Sequence, residues 1–260
     1  SVIVGDIPAH ERNYIIKYCF GQNIRTYSVP KISDILLRSS VELNLFDSPL
    51  LLSRNNQGLQ IEQEIMKRII DIVGSLIGIV ITIPIFLIVG ICIKMTDGGP
   101  VIYQQTRLTK NGKKFQIYKF RTMVQNAEAD GKARLASEGD PRILPIGRIL
   151  RATRLDELPQ IYNILKGDMS IVGPRPERPE LAAELEKEIP EFSFRLQVKA
   201  GLTGYAQVYG KYNTTPYDKL KLDLTYIRNY SVLEDLKLII MTPKIMLMKE
   251  STEGVKEETH

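Results

Sequence analysis

The chain has 260 residues, 43% of them hydrophobic and 25% charged, which indicates one medium-sized folded domain with an additional segment. A net charge of +5 suits phosphates or acidic lipid headgroups as partners and is too small to indicate nucleic-acid binding. Two widely separated cysteines do not indicate a disulfide framework or a metal site, and His10 and His260, at opposite ends, argue against histidine-based catalysis.

The first sixty residues predict a partial α/β module. Residues 1–6 have the composition of a strand, His10–Phe20 is typical of a helix, and Ile24–Val29 predicts a second strand. Gly5 lacks the companion glycines of a dinucleotide-binding loop, so we do not expect a cofactor here. The sequence begins at Ser1 rather than Met, so we expect a fragment or a processed product. We interpret residues 1–60 as half of a truncated domain or as a packing module.

Residues 69–93 form the longest apolar stretch and contain a single charge, Asp71. As a helix this stretch would be about 37 Å long, which exceeds the roughly 30 Å hydrocarbon core of a bilayer. Its length favours a membrane helix over a buried core helix.

Two features of this stretch complicate a straight span. Pro84 removes a backbone hydrogen bond and predicts a break in the helix, where Thr82 could satisfy the carbonyls that are freed. Basic residues flank both ends, including Lys67, Arg68 and Lys94, whereas a spanning helix usually has this bias on one side. One interpretation is a re-entrant helix that enters one leaflet, bends and returns; a straight span is the alternative.

The residues after Gly98-Gly99-Pro100 predict a mostly helical domain with a small hairpin, giving a mixed α/β (α+β) chain. Asn111-Gly112 is a strong hairpin-turn signal. The last helix alternates apolar residues with lysines, which suits a membrane-surface helix or an ordinary surface helix. The predicted elements are strands at Val101–Gln105 and Phe115–Phe120, a polar helix and loop at 125–140, an interrupted helix at Ile146–Lys166, and helices at Pro179–Lys187, Tyr217–Asn229 and Asp235–Lys249.

Three arginines recur at intervals of three just before an acidic pair. On a helix, Arg148, Arg151 and Arg154 would share one face, where planar guanidinium groups can grip the oxygens of a phosphate. The alternative is a solvated face that pairs with neighbouring acids.

The acidic pair Asp156-Glu157 is expected to open a helix that runs to Lys166, with Pro159 in its first turn. Acidic residues favour helix N-termini for electrostatic reasons alone. Among cations, however, a carboxylate stays ionised, and Asp156 could act as a nucleophile on phosphorus while Glu157 helps to hold Mg²⁺. Adjacent carboxylates on one turn do not suit glycoside hydrolysis, which needs two carboxyl groups facing each other across the bond.

Two further segments carry candidate phosphate ligands. Pro174 and Pro176 fix the backbone on both sides of Arg175, so the loop could present this arginine with little loss of entropy; a plain turn is the alternative. Lys119 and Arg121 would lie on the same face of a strand, because strand side chains repeat every two residues.

Together, six ordered segments resemble the catalytic domain of monotopic phosphoglycosyl transferases, which are bacterial sugar transferases. The resemblance runs from about Met66 to about Lys249. The matching segments are Lys67–Asp71, Lys119–Met123, Leu155–Gln160, Leu165–Ser170, Val172–Glu177 and Gly201–Gly204.

The resemblance implies a two-step transfer from a UDP-sugar to a polyprenol (undecaprenyl) phosphate. Asp156 matches the family's nucleophile, which forms an aspartyl-phosphosugar and releases UMP, and Glu157 matches its acidic partner at a Mg²⁺ site. The other matching positions are basic residues near the phosphates (Arg151 and Arg175), the proposed uridine-contacting motif (Pro174, Arg175 and Pro176), and further polar groups of the active site (Lys211 and Asp235).

The resemblance also implies an organisation and a location. We expect a partial module at 1–60, a re-entrant helix at 61–97, a catalytic domain at 98–250 and a tail at 251–260. Longer family members carry an extra upstream domain, which leaves room for a homodimer. The catalytic domain would lie on the cytoplasmic face of the bacterial inner membrane.

Some residues depart from the family pattern, and two alternatives stay open. Ile83 stands before Pro84 where the family has serine, and Lys211 replaces a frequent arginine, although lysine cannot form a two-pronged contact with phosphate. The sugar is not determined; hexose-1-phosphate is our expectation from the upstream region. The alternatives are direct transfer with Asp156 as a metal ligand only, and a non-catalytic membrane scaffold.

Overall fold

The computed structural model describes residues 1–38, 40–45, 48–52, 59–125, 127, 140–211 and 213–246. The chain forms two compact units, Ser1–Asn55 and Asn56–His260. Most of the polar segment predicted at 125–140, the end of the last predicted helix at 247–249 and the tail at 251–260 lie outside the described residues.

The first unit begins with the strand, helix and strand that the sequence predicts. Its two short strands pair in parallel with a helix between them, as a parallel connection requires. A hairpin, formed by the third and fourth strands, was not predicted. The elements are β1 (Val2–Val4), α1 (Ala9–Gly21), β2 (Thr26–Ser28), α2 (Ile32–Leu37), β3 (Val41–Leu45) and β4 (Ser48–Leu52).

The second unit is mostly helical, with one antiparallel hairpin and one short parallel strand pair. The helices predicted at Ile146–Lys166 (with its interruption), Pro179–Lys187 and Tyr217–Asn229 are confirmed, with outer ends within one residue of those expected, and the helix predicted from Asp235 begins at Val232. The elements are α3 (Ile61–Asp97), β5 (Ile102–Leu108), β6 (Lys114–Phe120), α4 (Pro145–Ala152), α5 (Gln160–Lys166), β7 (Ser170–Val172), α6 (Pro179–Glu188), β8 (Gly201–Thr203), α7 (Tyr205–Val208), α8 (Pro216–Arg228) and α9 (Val232–Met246).

The long helix α3 has one buried stripe and a broad exposed apolar surface. Among the described residues it is the helix that is long and apolar enough to cross a membrane. Its large apolar side chains are mostly exposed along its length, which suits contact with lipid. The buried positions recur at intervals of four and seven and therefore share one face; they are Lys67, Asp71, Ser75, Thr82, Val89 and Ile93.

The helix continues through Pro84, so the break expected there is absent at the level of secondary structure. A proline in a helix interior removes one hydrogen bond, and the neighbouring turns can keep the helix continuous. The expected role of Thr82 also differs. Its hydroxyl donates to the carbonyl of Gly78 at 2.7 Å, one turn earlier, rather than to the Val80 carbonyl that loses its amide partner at Pro84.

The hairpin β5–β6 contributes side chains to two apolar clusters among the described residues of the second unit. Asn111 has φ of 58° and Gly112 of 71°, so the turn uses the left-handed backbone that the Asn-Gly pair predicts. The two clusters contain Phe115, Ile117, Ile164, Met169 and Ala200 on one side, and Val89, Ile93, Phe120 and Leu150 on the other.

Candidate active site

A single 3₁₀ turn, Leu155–Glu157, carries the two adjacent carboxylates between α4 and α5. The turn begins after Arg154, whose φ of 57° is in the left-handed region that few residues other than glycine adopt. The α-helix that the sequence predicted from the acidic pair begins later, at Gln160, with Pro159 as its N-cap. Because the turn packs against α4 and β6, the carboxylates lie next to the strand that bears Lys119.

Glu157 is held by two cations from distant parts of the chain. Its Oε1 accepts hydrogen bonds from Lys119 Nζ at 2.9 Å and from Arg175 Nη2 at 2.8 Å. Burial alone would raise the pKa of Glu157, but the charges and hydrogen bonds of these two cations bring it well below its usual value. Glu157 is therefore a fixed anion that organises the cluster.

The pKa values of Arg175 and Lys119 shift in opposite directions. The Glu157 carboxylate raises the pKa of Arg175, which therefore stays charged. Burial lowers the pKa of Lys119, and the nearby Arg175 lowers it further, while Glu157 opposes both effects. Lys119 and Arg175 together carry more positive charge than the Glu157 carboxylate neutralises, so the cluster attracts a further anion.

Asp156 is partly exposed, and no hydrogen bond reaches its carboxylate from the residues that the structure describes. Burial raises its pKa above the usual 3.8, and Glu157 raises it further, although Lys119, Arg151 and Arg154 act in the other direction. Desolvation therefore outweighs these cations in the direction of the pKa shift, and the expectation that Asp156 stays ionised remains a prediction. Unlike Glu157, Asp156 accepts no hydrogen bond from the described residues, so its carboxylate oxygens remain available to a substrate.

The three arginines do not form one helical face. Arg148 is exposed on α4, and Arg151 donates from Nε to the Thr122 hydroxyl at 2.9 Å. Helix α4 ends at Ala152, so Arg154 lies beyond it in the left-handed turn. Arg151 and Arg154 still lie close enough to Asp156 to lower its pKa, and both remain candidates for contact with phosphate.

The loop that bears Arg175 is fixed by the strand pair beneath it. The Gly173 amide donates to Thr203 O, and the Gly201 amide donates to Pro174 O. A Cβ atom at Gly201 would lie 2.1 Å from the Gly173 nitrogen, so the backbones approach as only glycine permits. Pro174 and Pro176 are both buried, and the loop presents Arg175 to Glu157 as a rigid unit.

Three predicted site residues lie elsewhere. Arg121 follows the end of β6 and is engaged by the Asp97 carboxylate and the Pro100 carbonyl, so it does not share the environment of Lys119. The prediction that both cations lie on one face of a strand is wrong for Arg121, because the strand ends at Phe120. Contact of Arg121 with phosphate stays a prediction. Lys211 is exposed in the loop after α7, with its backbone amide bound to Thr214.

Asp235, expected among the polar groups of the active site, is buried in a different network. Its Oδ2 accepts from Lys67 Nζ at 2.7 Å, and its Oδ1 accepts from the Tyr226 hydroxyl at 2.8 Å. Lys67 also donates to Tyr226 at 3.0 Å. This network joins α3, α8 and α9, and it places Asp235 at the base of the apolar helix.

Arg195, which no sequence motif singles out, supports the Arg175 loop from below. Its Nη2 donates to Arg175 O at 3.0 Å and pairs with Asp223 Oδ2 at 2.7 Å. Both Arg195 and Asp223 are buried. No sequence pattern links them, because they belong to a 3₁₀ segment and to α8 and meet only through tertiary packing.

The acidic pair suits a magnesium ion that is completed by substrate. Within the described ranges, no group of three or more His, Cys, Asp or Glu side chains could hold a metal by itself. Mg²⁺ commonly needs only one or two carboxylates, with water and substrate phosphates as the remaining ligands. The Asp156 carboxylate is open, and only Oε1 of Glu157 is bound by described residues, so the two side chains fit this requirement.

The family profile described as "Bacterial sugar transferase" matches residues 62–249, which include the whole cluster around Asp156. The chain belongs to the bacterial sugar transferase family. In this sugar transferase, the matched region begins one residue after the start of α3, so the apolar helix is part of the family domain rather than an addition to it.

Three curated relatives are similar to this sugar transferase. The UDP-N-acetylgalactosamine-undecaprenyl-phosphate N-acetylgalactosaminephosphotransferase of Aeromonas hydrophila is 40% identical, covering 70% of this chain and 44% of the relative. The undecaprenyl-phosphate galactose phosphotransferase of Salmonella typhimurium is 36% identical, covering 85% and 49%. The UDP-glucose:undecaprenyl-phosphate glucose-1-phosphate transferase of Caulobacter vibrioides is 37% identical, covering 72% of each. The chain thus spans less than half the length of the first two.

Proposed function

We propose that this sugar transferase moves a sugar-1-phosphate from a UDP-sugar to undecaprenyl phosphate, as the first membrane step in the assembly of a polysaccharide or glycoconjugate. The observation that carries the proposal is the contrast between two adjacent carboxylates. Glu157 is bound by Lys119 and Arg175, whereas Asp156 beside it is open and surrounded by positive charge. The names of the relatives, which specify this class of transfer, support the same function.

In the first proposed step, an Asp156 carboxylate oxygen attacks the sugar-bearing β-phosphorus of the UDP-sugar. The bond from this phosphorus to the bridging oxygen breaks, and UMP leaves with the bonding electrons. In the second step, an oxygen of undecaprenyl phosphate attacks the same phosphorus. The bond to Asp156 then breaks, which regenerates the carboxylate and yields undecaprenyl-diphospho-sugar.

The surrounding residues would hold the phosphates and stabilise the charge that develops on them. Lys119 and Arg175 are already positioned by Glu157, so little reorganisation is needed when substrate binds. Arg151 would contact a second phosphate, and the rigid Pro174–Pro176 segment would contact the uridine. A magnesium ion held by Asp156 and Glu157 would supply neutralisation of the diphosphate charge. That the sugar is a hexose remains our expectation. The names of the three relatives specify different sugars, so they do not select one for this chain.

A reaction without the lipid acceptor tests this function. The protein in detergent, with Mg²⁺ and each of UDP-glucose, UDP-galactose and UDP-N-acetylgalactosamine, is expected to release about one UMP per active site with one of these substrates. Intact-protein mass spectrometry should then show a gain equal to one sugar phosphate. With both substrates present, double-reciprocal plots should be parallel. Direct transfer instead predicts no UMP without lipid, no adduct and intersecting lines, and a scaffold predicts no turnover at all.

We also propose that α3 enters the membrane from the cytoplasmic face, bends near Pro84 without losing its helical continuity, and returns to the same face. Support comes from the two ends of the helix. Near its start, Lys67 pairs with Asp235, and at its end, Asp97 pairs with Arg121, so both ends contact the same polar unit. A 37-residue helix is about 55 Å long, and a straight span would place these ends on opposite sides of the bilayer.

Cysteine labelling tests the topology. In a variant whose two native cysteines are replaced by serine, Met66→Cys and Met95→Cys place single thiols beside Lys67 and Lys94, at positions that are exposed. Both should react with a membrane-impermeant maleimide in inside-out vesicles and neither in intact spheroplasts. Leu76→Cys, in the apolar part of the helix, is the control and should stay unlabelled from both sides. Labelling of positions 66 and 95 from opposite sides would refute the re-entrant topology.

A further inference from the structure

The loop Pro174–Glu177 accepts a hydrogen bond at each of its four backbone carbonyls. The first and the last bind backbone amides. Gly201 N donates to Pro174 O at 2.9 Å, and Leu108 N donates to Glu177 O at 3.0 Å. Two of the four loop residues are prolines, which have no N–H group, so the loop can offer few amide donors of its own. Its backbone is therefore held mainly through its carbonyls.

The two middle carbonyls of the loop bind arginine side chains instead. Arg195 Nη2 donates to Arg175 O at 3.0 Å, and Arg107 Nη1 donates to Pro176 O at 3.2 Å. Arg195 belongs to the 3₁₀ segment Pro190–Gln197 and Arg107 to β5, so two elements that are far apart in the sequence meet at adjacent peptide groups. Unlike an amide, a side-chain donor can be removed by mutation without any change in the loop itself.

Acidic side chains hold the two arginines in place. Glu177 joins them, because its Oε1 lies 3.6 Å from Arg195 Nη1 and its Oε2 lies 4.0 Å from Arg107 Nη1. The buried Asp223 adds a second negative charge, with Oδ2 at 2.7 Å from Arg195 Nη2. The ring of Phe192, whose centroid is 4.9 Å from the Arg195 guanidinium carbon, restricts the guanidinium further.

The buried pair of Arg195 and Asp223 is an inefficient way to gain stability. The removal of two charges from water costs about as much as their attraction returns, and apolar side chains of similar volume often stabilise a protein equally. Apolar side chains, however, cannot donate to the Arg175 carbonyl. The orientation of the loop therefore explains this pair better than stability does.

We propose that Arg195 and Arg107 are positioning residues for the UDP-sugar, which hold the loop so that the Arg175 guanidinium stays at Glu157. This role rests on the proposed function, in which Arg175 binds a phosphate of the nucleotide-sugar. Arg175 is bound at both ends, by Arg195 at its carbonyl and by Glu157 at Nη2, 2.8 Å from Oε1. Little freedom of its side chain is then lost when a phosphate arrives.

The double variant Arg195→Met/Asp223→Leu separates positioning from stability. It removes both buried charges together, so the midpoint of thermal unfolding should stay within about 3 °C of the wild type. The KM for the UDP-sugar, measured in detergent at saturating undecaprenyl phosphate, should rise about tenfold, because a displaced Arg175 loses a charged hydrogen bond to phosphate. A purely structural role predicts no rise, since an unfolded fraction lowers the apparent kcat and leaves KM unchanged.

Arg107→Met is a second variant, which leaves the pair of Arg195 and Asp223 intact. It removes the donor to the Pro176 carbonyl and should raise the same KM about threefold. Arg25→Met, the same change at an exposed position of the first unit, is the control and should leave KM unchanged.

Hydrogen–deuterium exchange of the full chain without UDP-sugar tests the hold on the loop independently of any reaction. The amides of Arg175 and Glu177 should exchange about fivefold faster in the double variant and in Arg107→Met than in the wild type, and at the wild-type rate in Arg25→Met. If the wild type turns over none of UDP-glucose, UDP-galactose and UDP-N-acetylgalactosamine, the proposed function fails, and the exchange rates alone decide whether the arginines hold the loop. Unchanged exchange, or an unchanged KM in the double variant, overturns the positioning role and leaves the proposed function standing.

Discussion

Replacement of Asp156 by asparagine is expected to lower sugar-phosphate transfer by at least about 10³-fold, because an amide cannot form the aspartyl-phosphosugar. The same variant should show neither UMP release nor a mass adduct when it is given UDP-sugar without lipid. Lys119, Glu157 and Arg175 bind one another rather than Asp156, so the binding of the nucleotide-sugar should change much less. Steady-state assays with the radiolabelled UDP-sugar measure the first effect, and equilibrium dialysis the second.

The stability of the same variant should change in the opposite direction from its activity. Burial raises the pKa of Asp156 above 3.8, so the folded state disfavours the ionised carboxylate at every pH above that value. A neutral amide removes this penalty, and the midpoint of thermal unfolding of Asp156→Asn should equal or exceed that of the wild type at pH 7. Any gain should shrink as the pH falls toward 4, where the unfolded-state carboxyl also becomes protonated.

Glu184→Gln, which removes a carboxylate charge in the same way, is the control for both measurements. Glu184 is exposed on α6 and belongs to no part of the proposed site. It should keep full activity and a nearly unchanged unfolding midpoint. If Asp156→Asn retained transfer while Glu184→Gln behaved as expected, Asp156 would not be the nucleophile, and the direct route would replace the two-step reaction.

The substitution Lys67→Met is expected to lower the free energy of unfolding more than any other substitution proposed for this chain. In Lys67→Met, the Asp235 carboxylate stays buried and loses its cation, and neutral tyrosine hydroxyls such as that of Tyr226 remain as its partners. Such an unpaired buried charge costs about 3 kcal/mol, which should lower the midpoint of thermal unfolding by about 10 °C in a chain of this size. Differential scanning calorimetry or fluorimetry in detergent measures the shift.

The double variant Lys67→Met/Asp235→Leu separates a structural role from a catalytic one. It removes both charges, so it should recover part of the stability lost in the single variant. Lys237→Met, which breaks an exposed pair with Glu234 on α9, is the control and should shift the midpoint by less than about 2 °C. A further variant, Asp235→Asn, decides between the two roles. If it abolished transfer without changing the unfolding midpoint, Asp235 would belong to the active site, as the sequence resemblance implies, and would not act only as the structural partner of Lys67.

The local sequence determined much of the secondary structure. Asn111-Gly112 predicts the hairpin turn because both residues tolerate the left-handed backbone found there. The Pro-Arg-Pro segment predicts a stiff loop, since each proline fixes its own φ. The interruption near Arg154 was also correctly placed, between α4 and the acidic turn. These signals act over a few residues, so the sequence contains them completely.

The cations could be identified from the sequence, but their partners could not. Lys119 and Arg121 are two residues apart and were expected to act together, yet one binds Glu157 and the other Asp97. The reason is that β6 ends between them, and the end of a strand is set by packing against its neighbours. The prediction that Arg148, Arg151 and Arg154 share one helical face was wrong for the same reason, because α4 ends at Ala152, before Arg154.

By itself, the sequence determined that this chain carries a long apolar helix, an acidic pair among arginines and a proline-fixed basic loop. Only the tertiary structure decided that Glu157 holds the cations while Asp156 stays open, and that Asp235 pairs with Lys67 at the base of the helix. Charge–charge contacts between residues tens of positions apart depend on how the elements pack, and local composition and periodicity do not encode that packing.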